Sequence, residues 1–365
     1  MPATQTSAIM YGAPLSLYSG KARSFLDWKG VDYTEVLATP DIYQSEIIPA
    51  VGRPVIPVVK LPDGTILQDT TVIIDHFEAA QPGPSAYPDT PRQRLAALLL
   101  ETFGDEWLVI PAMHYRWNYN EEWVYGEFGK VAVPGGTEAE QFEAGKQRGA
   151  AFKGFVPMLG INAATIPGVE ASYEALLADL DAHFAIHPFL FGTRPSIGDF
   201  GLIGPLYAHN YRDPASGEIM RRLAPRVAGW VERMIALEPL SGEFLADDTV
   251  PETVIPVLAR MMAEHVPYLA NVAPMLGEWA ATNKDAEMPR ALGMAAFEIE
   301  GAKGERLALP FSLWMLQRSL DYLASLEGDA RAACETMLRD CGGEALLDFK
   351  MPVRLVFENH KLQAA

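Results

Sequence analysis

Tyr11, Ser16 and Ser19 place three hydroxyl groups where a short apolar run meets an amphipathic one. A hydroxyl at the N-terminus of a helix can donate a hydrogen bond to a bound anion, and the helix end adds partial positive charge. Together they favour the deprotonated form of a nucleophile held there. Ser16 falls just after the apolar run, close to the start of the helix. Ser19 reads as the helix N-cap. Tyr11 lies inside the run, where a phenol usually packs in a core. Two further places could hold an extended ligand. Ile56-Pro57 opens a strand, and a proline there leaves the neighbouring backbone groups free to pair with an extended peptide. Asp69 and Thr70 begin a helix, where backbone N–H groups and a hydroxyl can hold a carboxylate.

The elements that position these residues alternate. Ile9 to Gly12 is a strand, Ser19 to Lys29 a helix stopped by Gly30, and Asp32 to Leu37 a second strand. VIPVVKLPDGTILQD gives two strands joined at Pro62-Asp63-Gly64, and Thr70 to Ala80 closes the unit as a helix. The fold class is therefore α/β followed by all-α. A linker, QPGPSAYPDTP, carries four prolines and a glycine. Beyond it the pattern predicts one long helix from Arg92 to about Tyr119, a loop at Gly135-Gly136, and helices near 138–155, 169–186, 199–211 and 217–236. From about 250, two or three helices precede a β-hairpin over 295–309 with its turn at 301–304, and PFSLWMLQRSLDYLASL follows as a helix. The boundaries are 1–81, 91–240 and a C-terminal extension at 241–365.

Three stretches resemble the glutathione S-transferase family: MYGAPLSLYSGKARSFLDWKGVDY, VIPVVKLPDG and LQDTTVIID. A fourth, PSIGDF at 195–200, is similar to that family's capping box in its helical domain. Each is weak alone, but the four stand in family order and cover residues 9 to about 237. The resemblance implies a thioredoxin-like N-terminal domain, then a glutathione S-transferase-like helical domain. It implies glutathione as co-substrate, a small-molecule electrophile as partner, and a homodimer. It further implies a serine-type member in which Ser16 is catalytic and stabilises the glutathione thiolate. Ile56 would bind the cysteinyl backbone, with Pro57 cis, and Asp69 and Thr70 the γ-glutamyl end. Arg53 would meet the glycine carboxylate. Tyr115 and Arg116 would line the electrophile pocket, although an aromatic packing layer is an equal reading of that cluster. Asp69 and Thr70 replace the family's Glu-Ser pair, Leu17 stands where a proline is usual, and Pro54 and Val55 are extra. The alternative to an enzyme is a binding or interaction protein on the same fold with catalysis lost.

Bulk properties narrow the partners. A net charge of −18 repels nucleic acid and anionic lipid. No apolar run approaches the roughly 20 residues of a membrane span. No metal-ligand spacing occurs, so no metal is expected. Cys334 and Cys341 on one helix would lie about 10 Å apart, too far for a disulfide. Reduced thiols imply a cytoplasmic protein. Neither cysteine lies near the first helix, which excludes cysteine-based thiol exchange at its head.

Overall fold

In the computed structural model, residues 7–283 and 286–365 are described. The first unit runs β1 (Ala8–Gly12), α1 (Leu17–Lys29), β2 (Tyr33–Leu37), α2 (Pro40–Ile42), a π-type turn over 43–47, α3 (Ile48–Val51), β3 (Val58–Lys60), β4 (Ile66–Gln68) and α4 (Thr70–Ala80). Its sheet has the order β2-β1-β3-β4, parallel between β1 and β2 and antiparallel elsewhere. Strand alternation sends Met10 and Val59 to one face, against Phe25 of α1 and Ile73 of α4. It sends Tyr11 and Val58 to the other, against Ile47 and Val51. The β3–β4 turn follows its chemistry: the Asp63 carboxylate accepts from the Thr65 N–H at 2.8 Å, and Gly64 takes φ 90°.

The helical unit contains α5 (Pro91–Glu106), α6 (Val109–Tyr119), α7 (Glu121–Ala132), α8 (Glu138–Phe155), α9 (Ile166–Phe184), α10 (Ile197–Pro205), α11 (Pro214–Leu223) and α12 (Pro225–Met234). The single helix expected over 92–119 is two helices, broken at Trp107-Leu108. Pro111 accounts for the break, because its ring conflicts with the carbonyl four residues earlier, that of Trp107. The expected helix at 217–236 likewise divides at Ala224, the residue before Pro225. Ser196 and Asp199 form the anticipated capping box at the head of α10. α5 and α10 cross at glycines, and a Cβ at Gly104 would run into the Gly201 carbonyl.

The extension begins with α13 (Ile255–Thr282), one helix rather than the two or three expected. Pro267 and Pro274 lie inside it without ending it, and Val266, Tyr268, Leu269 and Val272 are buried around them. Then come β5 (Met294–Ile299), β6 (Ala302–Leu307), α14 (Pro310–Ser325), α15 (Gly328–Asp340), α16 (Glu344–Leu347), β7 (Leu355–Glu358) and β8 (Lys361–Ala364). The expected β5–β6 hairpin forms with Phe297 and Ile299 buried. Its turn is Glu300-Gly301, both at positive φ, not 301–304, because the two-residue form matches strand twist. The β7–β8 hairpin was not read from sequence. The extension shares one continuous core with the rest of the chain. Cys334 and Cys341 are buried free thiols, both pushed up by burial, to about 12 and about 11. Among the described residues no helix is long and apolar enough to cross a membrane.

Candidate functional site

The loop after β1 delivers Ser16 to the head of α1. Ser16, not Ser19, is the N-cap: its Oγ accepts from the Ser19 N–H at 3.1 Å. Starting the helix at Leu17 buries that leucine, which a later start would forgo. Ser19 is buried, and its Oγ accepts from the Ala13 N–H at 3.3 Å. Tyr11 lies on the far face of the sheet and donates to Glu46 Oε2 at 3.0 Å. Burial, then the Glu46 carboxylate, pushes its phenol up to about 12. Of the three hydroxyls, Ser16 alone is half-buried at a helix N-terminus; its Oγ lone pair serves the cap, and the cap bond does not use its proton.

Asp69 caps α4, accepting from the Thr71 N–H at 2.9 Å. Its φ of 81° is in the left-handed region, which a non-glycine residue adopts only when its surroundings enforce it. Burial raises the Asp69 carboxyl, and Lys21 and the Thr71 N–H oppose that. Thr70 is buried at the first turn. The Ile56-Pro57 bond is cis, as expected, with Ile56 half-buried just ahead of β3. Arg53 is exposed and donates to the Gln68 side chain at 2.9 Å, next to Asp69 in the chain. Arg53, Gln68 and Asp69 thus stand together at the end of β4.

Tyr115 and Arg116 are placed differently from the expected pocket. Arg116 is 2% exposed. Its Nε and Nη2 grip the Asp213 carboxylate at 2.7 and 2.8 Å, and it donates to the carbonyls of Leu15 at 2.9 Å and Ala208 at 2.5 Å. A guanidinium committed this way offers no free charge to a ligand; it ties the residue before Ser16 to the helical unit. Tyr115, 3% exposed, packs against Tyr173 at 5.1 Å and Tyr119 at 5.5 Å between ring centroids. That cluster is a packing layer.

Sequence reasoning missed a buried ionic chain beside the site. Lys21 Nζ, 0% exposed, meets Glu101 Oε1 at 2.8 Å and Asp105 Oδ2 at 2.5 Å. Thr71 Oγ1 donates to Glu101 at 3.1 Å. From α14, Arg318 reaches Asp75 at 3.1 Å and the Tyr87 hydroxyl at 2.9 Å, with Nη1 3.8 Å from Glu101. Burial works against the Lys21 charge, but Asp105 and Glu101 outweigh it and hold the ammonium protonated. The four-residue spacing of Glu101 and Asp105 was the only local signal. The chain joins α1, α4, α5 and α14, so the extension braces both units. Tyr18, two positions after Ser16, donates to the Asp105 carbonyl at 3.0 Å.

Two family models match in order. Residues 10–85 match the glutathione S-transferase N-terminal domain, and residues 163–233 match its C-terminal domain. The chain belongs to the glutathione S-transferase family. Its fold is that family's thioredoxin-like domain and helical domain, followed by an extension with hairpin strands. The matches end at residue 233, so the extension lies outside them. Solved structures of similar fold include the β-etherase LigF from Sphingobium sp. strain SYK-6, with TM-score 0.47 and 18% identity over 64% of this chain and 96% of that one. A glutathione S-transferase from Rhodospirillum rubrum F11 gives 0.41 and 18% over 67% and 96%. A family member from Pseudomonas fluorescens Pf-5, solved with bound glutathione, gives 0.37 and 18% over 64% and 99%. A search of curated proteins finds no match. Among the described residues, no group of three or more His, Cys, Asp or Glu could hold a metal ion.

Proposed function

We propose that this protein is a serine-type glutathione transferase that binds glutathione between the head of α1 and the head of α4. The observation that carries the reading is Ser16, whose oxygen caps α1 while its proton is left for a ligand. The γ-glutamyl carboxylate is received at Asp69 and Thr70, where the N–H groups of α4 emerge. The cysteinyl backbone pairs with Ile56 ahead of β3. Ser16 donates to the sulfur, and the α1 N-terminus adds positive potential, so the thiol ionises nearer neutral pH. The thiolate then attacks an electrophilic carbon of a small molecule. A carbon–sulfur bond forms and the leaving group departs with its electron pair. Holding the two reactants together contributes most of the acceleration.

Calorimetric titration with glutathione tests the site. Replacing Asp69 and Thr70 together by alanine is expected to weaken binding at least about tenfold, roughly 1.4 kcal/mol. Unchanged affinity places the site elsewhere. The reading as a binding protein without catalysis rests on Leu17, on the extra Pro54 and Val55, and on the large C-terminal extension. It predicts binding with no turnover of 1-chloro-2,4-dinitrobenzene.

A further inference from the structure

The loop between β1 and α1 leaves three carbonyls outside any strand or helix, those of Ala13, Pro14 and Leu15. The first accepts from the Ser16 N–H at 3.1 Å, within the turn itself. The other two are taken by guanidinium groups of the helical unit. Arg212 Nη1 donates to the Pro14 carbonyl at 2.6 Å, and Arg116 Nη1 to the Leu15 carbonyl at 2.9 Å. Both contacts lead back to one place in the chain. Asp213, the neighbour of Arg212, is the carboxylate that grips Arg116. Two consecutive residues therefore hold two consecutive carbonyls, one directly and one through Arg116.

A π-type turn over Leu206–Tyr211 precedes this pair. It bonds to the carbonyl five residues back rather than four, and such turns recur at functional sites. The Arg212 N–H closes on the Tyr207 carbonyl at 3.2 Å in this pattern. The second arm of the Arg212 fork, Nη2, meets Glu127 Oε2 of α7 at 3.1 Å. The planar guanidinium is thus aimed from two sides. Arg116 and Arg212 differ in what their removal exposes. Arg116 and Asp213 are both buried, so losing Arg116 strands a carboxylate inside the protein. The Arg212 and Glu127 side chains are 21% and 15% exposed, and Pro14 is exposed, so water can replace what Arg212 gives up.

Ser16 is the joint between this loop and α1. Its φ of −83° and ψ of 121° are extended, and the chain is helical from Leu17 onward. The Ser19 N–H fixes its oxygen from the helix side. The gripped carbonyls of Pro14 and Leu15 fix it from the loop side. A hydrogen bond weakens steeply as its donor angle bends, so the direction of the hydroxyl proton depends on both.

We propose, on the transferase reading above, that Arg212 is a positioning residue for Ser16: by holding the Pro14 carbonyl to the helical unit, it fixes the angle at which the loop enters α1 and aims the Ser16 hydroxyl at the glutathione sulfur.

The thiol pKa of bound glutathione is read from thiolate absorbance against pH in the full-length protein. The variants are Arg212→Met, Arg212→Lys and Arg194→Met, and Ser16→Ala with and without Arg212→Met. Arg212→Met is expected to raise that pKa by about half a unit to one unit, roughly a threefold to tenfold loss in the ionisation constant. Its affinity for S-methylglutathione, which has no thiol proton, should be unchanged. Arg212→Lys keeps a charge and a donor and should recover part of the shift. Arg194 makes the same kind of contact elsewhere, donating to the Gly242 carbonyl at 3.0 Å and to Glu243 at 3.0 Å. Arg194→Met should therefore leave the thiol pKa where it is. In the Ser16→Ala background Arg212→Met should add no further shift, because it acts through the hydroxyl. An equal shift in both backgrounds would show the Arg212 charge acting by its field alone and overturns the proposal. An unshifted pKa in Arg212→Met also overturns it, while a depressed wild-type pKa leaves the transferase reading standing. If Arg212→Met does not fold, Glu127→Gln removes the carboxylate that aims the arginine. A smaller shift in the same direction, present only with Ser16, supports the proposal, and no shift overturns it. A wild-type thiol pKa at its free value overturns both readings.

Discussion

Replacing Ser16 separates its two possible duties. Its Oγ accepts from the Ser19 N–H at 3.1 Å, so Ser16→Ala removes a helix cap and should cost about 1 kcal/mol of stability. The same change removes the proton offered to sulfur. A hydrogen bond to a charged group contributes about 1.5–3 kcal/mol. At roughly 1.4 kcal/mol per unit, the pKa of bound glutathione should rise by about one to two units. Ser16→Asp distinguishes the effects. Its carboxylate still accepts from the Ser19 N–H, so stability is kept, but it has no proton to donate at neutral pH and repels a thiolate. The assay is thiolate absorbance against pH with glutathione bound, beside a urea melt of each protein. Ser16→Ala should lose stability and raise the thiol pKa; Ser16→Asp should raise the thiol pKa alone. Three overlaid titrations would make Ser16 a cap and nothing more. A thiol pKa at its free value in all three would remove the transferase reading itself.

Two further outcomes follow from buried charge. His183 is fully buried with Nε2 3.1 Å from the Phe189 carbonyl, and burial lowers it from 6.5 to about 4, with Phe189 opposing and His187 assisting. The unfolded chain binds this proton below about pH 6.5 and the folded chain does not until about 4, so stability falls as pH drops through that window, by about 3 kcal/mol from this group. Urea melts from pH 7 to 4 should show a shallower loss in His183→Gln, and an unchanged slope would refute the assignment. Lys21→Met should destabilise the protein by about 3–5 kcal/mol, since it leaves Glu101 and Asp105 buried without their cation. A loss under about 1 kcal/mol would show that water or a proton replaces the ammonium.

The sequence by itself determined the strands and the closing helix of the first unit, but not the cap of α1 or the helical stretch over 40–51. The cis bond at Pro57 was legible only through the family resemblance. Strand alternation, the Pro62-Asp63-Gly64 turn and the helix start at Thr70 are set by neighbours within a few residues, and local backbone chemistry decides them. The capping box at Ser196 and Asp199 was legible for the same reason. Pro111 was also legible, as the cause of the break after Glu106, but the helical periodicity on both sides masked it. Tertiary structure decided what depends on distant partners. Lys21 finds Glu101 and Asp105 80 and 84 positions away. Arg116 finds Asp213 97 positions away, which turned a supposed pocket cation into a brace behind Ser16. Arg318 of the extension reaches Asp75 across 243 positions. No periodicity encodes such pairs, because they form only when packing has brought whole helices together and removed the water that would otherwise solvate each charge.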